Sequence, residues 1–469
     1  MVVAVVVIIF ALLSLLALER PSVAIAAAFS VFGFEQWAQA NSSFFGAHGS
    51  LLNIAVAGLA AVAAVSMFIR EQLLVRRIPA AFWCLLALYA LTVLSCFWSP
   101  TPDKSVELLK DSAPYIVVIV LFTPLLLFGE KQLNDVVVDM FVFASIVTAM
   151  IAFGTEIHEH GRAVKLSDAV NKSGDNQSVG SPLMISSLAG HAMIVAFLAG
   201  PALLGRFHAL RLLVLPIGAW VIVRSGSRGQ LIAVLPVMVA FVLLARGIRL
   251  REIIKTVVGL GVAAVAVFAA FEFGEFYVFD ERWSLDGMKS GFEETRVEMA
   301  SAVLDKWTRG DVFQLLFGMG NSSSYTFLDM YCHVLPVEIL VEEGIFGLLL
   351  LTTFFVLTVK SFFSLSIKCW PIESQRLAVA SLGAMYVYEL VLSMKQASFI
   401  GNYYLFLLGI LICRANLFVP SRSNTIDRSV PRSGALLAQH IYTGATASRR
   451  EFPETMMNRC ATTESAPTA

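Results

Sequence analysis

An all-α, polytopic transmembrane helical bundle is the fold class this sequence predicts. Charged residues make up 14% of the 469 and apolar residues 57%, with a mean hydropathy of +0.76, whereas charged residues alone approach about a quarter of a soluble domain. The apolar residues recur in runs able to cross a hydrocarbon core about 30 Å thick, which takes roughly 20 helical residues. These runs are apolar on every face, unlike the alternating strands of a membrane barrel.

Taken in order, the runs fall at about 1–18, 22–34, 51–69, 79–98, 113–128, 136–154, 182–204, 212–223, 231–245, 256–271, 334–359, 377–394 and 403–418. The first is long enough for a signal-peptide core, but no Lys or Arg precedes it and the run resumes at Ser22, so it reads as a retained anchor. Only Glu19, Arg20 and Pro21 separate it from the second. Proline removes a backbone donor, so this pair is either two crossings or one long broken helix, giving 12–13 TM helices. The six cysteines include no CxxC pair and read as packing residues.

Lys and Arg density in the loops sets the orientation. One alternating set is 70–77, 129–135, 205–211, 246–255 and 360–376, with about 13 basic residues in about 49 positions. The other is 35–50, 99–112, 155–181, 224–230, 272–333 and 395–402, with about 13 in about 134. The denser set is therefore expected to be cytoplasmic and the long loops extracytoplasmic. Residues 1–418 form the transmembrane part, and the Arg-, Ser- and Pro-rich 419–469 reads as a disordered cytoplasmic tail. Loop 155–181 is plain polar sequence. Loop 272–333 carries an amphipathic stretch, with Val297, Ala300, Val303, Leu304 and Trp307 at helical spacing, and is expected to fold as a partly helical cap. A net charge of zero argues against a nucleic-acid partner.

Two stretches offer chemistry. The segment from Gly318 to Gly347, GMGNSSSYTFLDMYCHVLPVEILVEEGIFG, places His333 where the longest outward loop meets a long apolar helix. A neutral imidazole there can take a proton from a hydroxyl; a plain surface residue at a helix start is the competing reading. Glu338 and Glu342 are expected to face water or to sit at the positive helix N-terminus. The second stretch is RSGSRGQ, Arg224 to Gln230. Its arginines can bind an anion such as lipid-linked phosphate, with Gly226 and Gly229 admitting backbone amides, or can simply snorkel to the interface. Arg296 is a third candidate, expected on the face opposite the apolar stripe, where pairing with Glu293 competes with a binding role.

In order, SGSRGQ, an arginine in ETRVEMA, GMGNSS, and His333 with ten residues between it and Gly344 resemble the bacterial O-antigen ligase and polymerase superfamily. FWSPTPDKSVE, Phe97 to Glu107, is similar to a weaker element of that family, and the likeness covers roughly residues 50–415. The resemblance implies a GT-C-like, metal-independent glycosyltransferase in the bacterial inner membrane with its active site facing the periplasm. Its partners would be an undecaprenyl-diphosphate-linked glycan and an acceptor, either lipid A-core or a growing glycan. His333 would activate or orient the acceptor, Arg228, Arg296 and Arg224 would hold the diphosphate, and Gly226, Gly229, Gly344 and Glu338 would support them. Arg296 departs from the family's pattern, with Ala300 in place of a leucine. No cofactor or metal is expected: the outward loops hold no DxD, and the HEH at His158 to His160 lacks a third ligand. Two alternatives remain, a polymerase of the same superfamily and a transporter of polysaccharide or lipid-linked substrate, for which Glu389 and His191 are the intramembrane ionisable candidates.

Overall fold

Pro21 splits the first apolar stretch into a helical hairpin. In the computed structural model, which describes residues 2–70, 78–127, 130–157, 164–165, 182–225, 227–246, 294–395 and 398–420, α1 (Val2–Glu19) and α2 (Ser22–Asn41) run antiparallel. Val6 packs with Ala38 and Phe10 with Phe34, while Arg20 at the bend pairs with Asp135 and Asp139 at 3.1 and 2.8 Å. The two segments therefore fold back on each other, and α2 extends beyond its apolar core through Gln36 to Asn41.

The bundle continues with α3 (Ser50–Ile69), α4 (Ala80–Ser95), α5 (Pro102–Tyr115), α6 (Glu130–Gly154), α7 (Pro182–Leu198), α8 (Arg211–Arg224) and α9 (Arg228–Arg246). Beyond residue 293 come α10 (Glu294–Thr308), α11 (Val312–Phe317), α12 (Leu335–Cys369), α13 (Glu373–Ser393) and α14 (Tyr403–Phe418). Helix α5 begins inside the expected loop 99–112, because Pro102 supplies a pre-set φ at the first helical turn. Past Pro114 the chain widens into a π-helical turn, Ile116–Phe122, as expected where an interior proline removes a donor. The only strands among the described residues are a two-residue pair joining Glu156 to Lys165. The expected span at 256–271, the HEH at 158–160 and Ser421–Ala469 lie outside the described residues.

Seven described helices are long and apolar enough to cross a membrane by length and composition, and Ala80–Ser95, Leu183–Leu198 and Tyr403–Phe418 are shorter apolar helices. The core gathers α2, α6, α7, α13 and α14, with Phe29, Phe141, Tyr388 and Phe406 almost fully buried. Large apolar side chains such as Ile8, Leu15, Phe68, Ile69, Phe363 and Ile367 cover the outside instead, as in a bundle whose solvent is lipid.

The loops sort into two ends. Arg20 meets Asp135, Asn134 donates to Ser374, Arg376 donates to the Ala245 carbonyl, and Lys368 donates to the Asn416 carbonyl. At the other end Asn41 donates to the Gly154 carbonyl, Gln230 to that of Leu183, and the Phe399 amide to Glu338. These are the two alternating loop sets of the sequence, and the candidate residues share the second end.

Candidate functional site

The GMGNSS loop owes its position to a break in α12. At Gly344 φ is +70° and ψ −167°, a conformation open essentially to glycine. Just before this break, the carbonyls of Val341 and Glu342 accept from the amides of Met319 and Gly320 at 2.8 and 3.0 Å. The approach is too close for side chains: a Cβ at Gly318 would lie 2.2 Å from the Glu342 oxygen, and one at Gly344 2.3 Å from that of Leu316. The His-x10-Gly spacing therefore has a mechanical meaning. The glycine opens the helix that follows the histidine so that the upstream loop can pair with it.

Of the two readings of Glu338 and Glu342, the water-facing one fails: Glu338, in the first turn of α12, is 4% exposed and Glu342 5%, and the adjacent Glu343 is 1% exposed. Each holds a different piece of this end of the bundle. Glu342 accepts from the Ser322 amide at 2.7 Å and from the Ser324 amide and hydroxyl at 3.3 and 2.6 Å. Glu343 accepts from Ser95 at 3.2 Å, and Glu338 accepts from the Phe399 amide at 2.9 Å. The FWSPTPDKS element clamps the same loop from the other side. Ser99 and Ser105 both donate to the Asn321 carbonyl at 2.6 Å, Thr101 to the Ser322 carbonyl at 3.0 Å, and Trp98 to the Gly318 carbonyl at 3.3 Å.

This scaffold leads to His333 in a strained backbone. Among the described residues, the non-glycine positions with positive φ are Ser322, Asp329 and His333, all between the clamp and α12. A histidine at φ +62° costs free energy that the surrounding contacts must offset, and such strain concentrates where side-chain placement matters. His333 is half-buried, its ring centroid lies 4.1 Å from that of Tyr331, and its Nδ1 is buried without a hydrogen-bond partner. Burial, with the Arg296 charge behind it, holds the imidazole below the usual histidine range. Burial and Glu338 push the Tyr331 hydroxyl up, with Arg296 opposing, and burial lowers Arg296 while leaving it a strong base.

Arg296 therefore faces the histidine, correcting its expected place on the far side of the helix. Positions 296, 300, 303 and 307 follow one another at intervals of three and four, so the arginine continues the face that buries Val303 and packs Ala300, Leu304 and Trp307 against Cys332 and Val341. Val297, assigned to the stripe, is instead 67% exposed. Glu293, its expected partner, lies outside the described residues.

Next to Tyr331 the ends of α7, α13 and α14 form a cavity of about 180 Å³, lined by Leu183, Met184, Ser187, Tyr331, Glu389, Leu392, Ser398, Gly401, Asn402 and Tyr404. The SRGQ turn borders it, since Gln230 donates to the Leu183 carbonyl at 3.1 Å. Arg228 opens α9, so its backbone is helical; its side chain, like Gly226, lies outside the described residues. Gly229 is buried against Lys395, whose Nζ would be 2.3 Å from a Cβ at that position. That lysine is a further cation at this turn, and sequence reasoning missed it. Arg224 closes α8 with its guanidinium 5.8 Å from the Trp220 ring centroid and its Nε buried without a partner; it is not among the cavity residues. The structure thus sets Tyr331, with His333 and Arg296 behind it, at one side of the cavity and the SRGQ turn with Lys395 near another.

No protein-family model matches the chain, and a search of curated proteins also finds no match.

Proposed function

We propose that the protein is a GT-C-like glycosyltransferase of the O-antigen ligase type, with 12–13 membrane crossings, that transfers a glycan from undecaprenyl diphosphate to a hydroxyl of lipid A-core. The reaction would take place at the periplasmic face of the bacterial inner membrane, beneath the cap formed by loop 272–333. The observation that carries this reading is Tyr331 on the wall of one cavity, with His333 against its ring and the Arg296 charge acting on both, and the SRGQ turn at that cavity's edge, from segments about a hundred residues apart. In the proposed step the acceptor oxygen attacks the anomeric carbon while His333, neutral because its proton affinity is lowered, takes the hydroxyl proton. The bond from that carbon to the diphosphate oxygen breaks, and the diphosphate leaves with its charge held by Arg228, Arg296 and Arg224. Charge-assisted hydrogen bonds of this kind contribute about 1.5 to 3 kcal/mol each, and the leaving group needs no strong acid.

Purified protein supplied with lipid-linked glycan and acceptor, without added divalent metal, should form product, and His333→Ala should abolish it. Turnover by a folded His333→Ala variant at the wild-type rate sinks the assignment. A polymerase would instead extend the glycan on its own carrier. Loss of long O-antigen with accumulation of lipid-linked polymer in a deletion strain supports the ligase, whereas loss of the polymer itself supports the polymerase.

A further inference from the structure

The cavity beside Tyr331 contains more chemistry than the transfer step uses. Glu389, 6% exposed, lines it, accepts from the Ser187 hydroxyl, and has one oxygen 3.0 Å from His191 Nε2, off the hydrogen-bond line. His191 is itself packed by the rings of Phe29, Tyr388 and Tyr404 at centroid distances of 5.0, 5.3 and 5.3 Å. Tyr404, 3% exposed, also lines the cavity, and its hydroxyl is buried without a partner. A carboxylate buried this way keeps acceptor capacity beyond its Ser187 donor, and a ligand in the cavity can fill it. The loop that forms the remaining wall is held in place: Glu338 accepts from Phe399, and Asn402 donates to the Ser398 carbonyl at 2.8 Å.

We propose that this cavity is a subsite for a single neutral pyranose ring, with Glu389 as its principal hydroxyl-reading group. At about 180 Å³ it has the room of roughly six waters at about 30 Å³ each, the scale of one six-membered ring with its substituents. An anion is disfavoured by the Glu389 carboxylate, since the lining contains no Lys, Arg or His. A hydrocarbon would offer the remaining acceptor capacity of Glu389 no donor. A sugar does: its hydroxyls donate to the carboxylate, while Leu183, Met184 and Leu392 cover its C–H face. The identification of the ring as part of the transferred glycan or its acceptor rests on the transferase reading; binding itself does not.

The test is saturation-transfer NMR on the full chain in nanodiscs, with methyl pyranosides of glucose, galactose, mannose and N-acetylglucosamine as probes and ethanolamine as the cationic control. At least one glycoside should receive saturation, and its binding should weaken at least about tenfold in Glu389→Gln, the loss expected for a hydrogen bond to a charged group. Leu392→Trp, which fills the cavity without removing a polar group, should abolish it, and decides the matter if Glu389→Gln fails to fold. No saturation of any glycoside, saturation by ethanolamine alone, or undiminished glycoside binding in Leu392→Trp overturns the proposal. Since no donor or turnover is involved, glycoside binding without transfer leaves the subsite standing and removes the transferase reading. Transfer without glycoside binding does the reverse.

Discussion

Replacing Gly344 by alanine should release the GMGNSS loop from α12 while leaving the membrane helices formed. The new Cβ would sit 2.3 Å from the Leu316 oxygen and 2.5 Å from the Gly318 amide nitrogen, on a backbone at φ +70°. Holding a non-glycine residue in that region costs about 1 to 3 kcal/mol. Relief by moving the loop sacrifices the Met319–Val341 and Gly320–Glu342 bonds, at about 0.5 to 1.5 kcal/mol each. The combined cost is about 2 to 6 kcal/mol, a loss of protection of roughly 30-fold to ten-thousand-fold at the loop amides. Hydrogen exchange at Met319 and Gly320, measured in nanodiscs, reads this directly. Gly58→Ala is the control, because a Cβ at that helical position meets nothing within 4 Å. Wild-type protection of Met319 and Gly320 in folded Gly344→Ala would refute the account of the break as the seat of the loop.

The depressed proton affinity of His333 sets a pH dependence: its basic form persists as pH falls below the ordinary histidine value of about 6.5, so the acid limb of turnover should lie below that pH. Removing the charge in Arg296→Gln takes away one cause of the depression and should move that limb upward, an effect read from the pH profile of kcat/KM, which reports the free protein. The double substitution Ser99→Ala with Ser105→Ala strips both hydroxyl donors from the Asn321 carbonyl and should destabilise this end of the bundle by about 1 to 3 kcal/mol, measured by thermal unfolding.

Periodicity and charge density made the helical fold and the division of loops legible, because lipid-facing helices must be apolar along most of their length and their ends can carry the charge. The same clues failed where a residue's environment is made by distant segments. Glu338, Glu342 and Glu343 look like a water-facing acidic turn when only their own helix is considered. Their donors lie far off in the chain, at Phe399, at Ser322 and Ser324, and at Ser95. Arg296 failed differently: a stripe drawn through Val297 turns the arginine to the far face, whereas its interval of four from Ala300 keeps it on the side that packs. Burial of such a side chain requires a reason that its own helix does not supply. Here it is the His333 and Tyr331 pair, delivered by a loop whose glycines fit the break at Gly344 and whose carbonyls take the hydroxyls of Ser99, Thr101 and Ser105. The serines of FWSPTPDKS and the glycines of GMGN are therefore one device read in two places. Neither stretch reveals its purpose alone, because each supplies only half of the hydrogen bonds that hold the histidine in place.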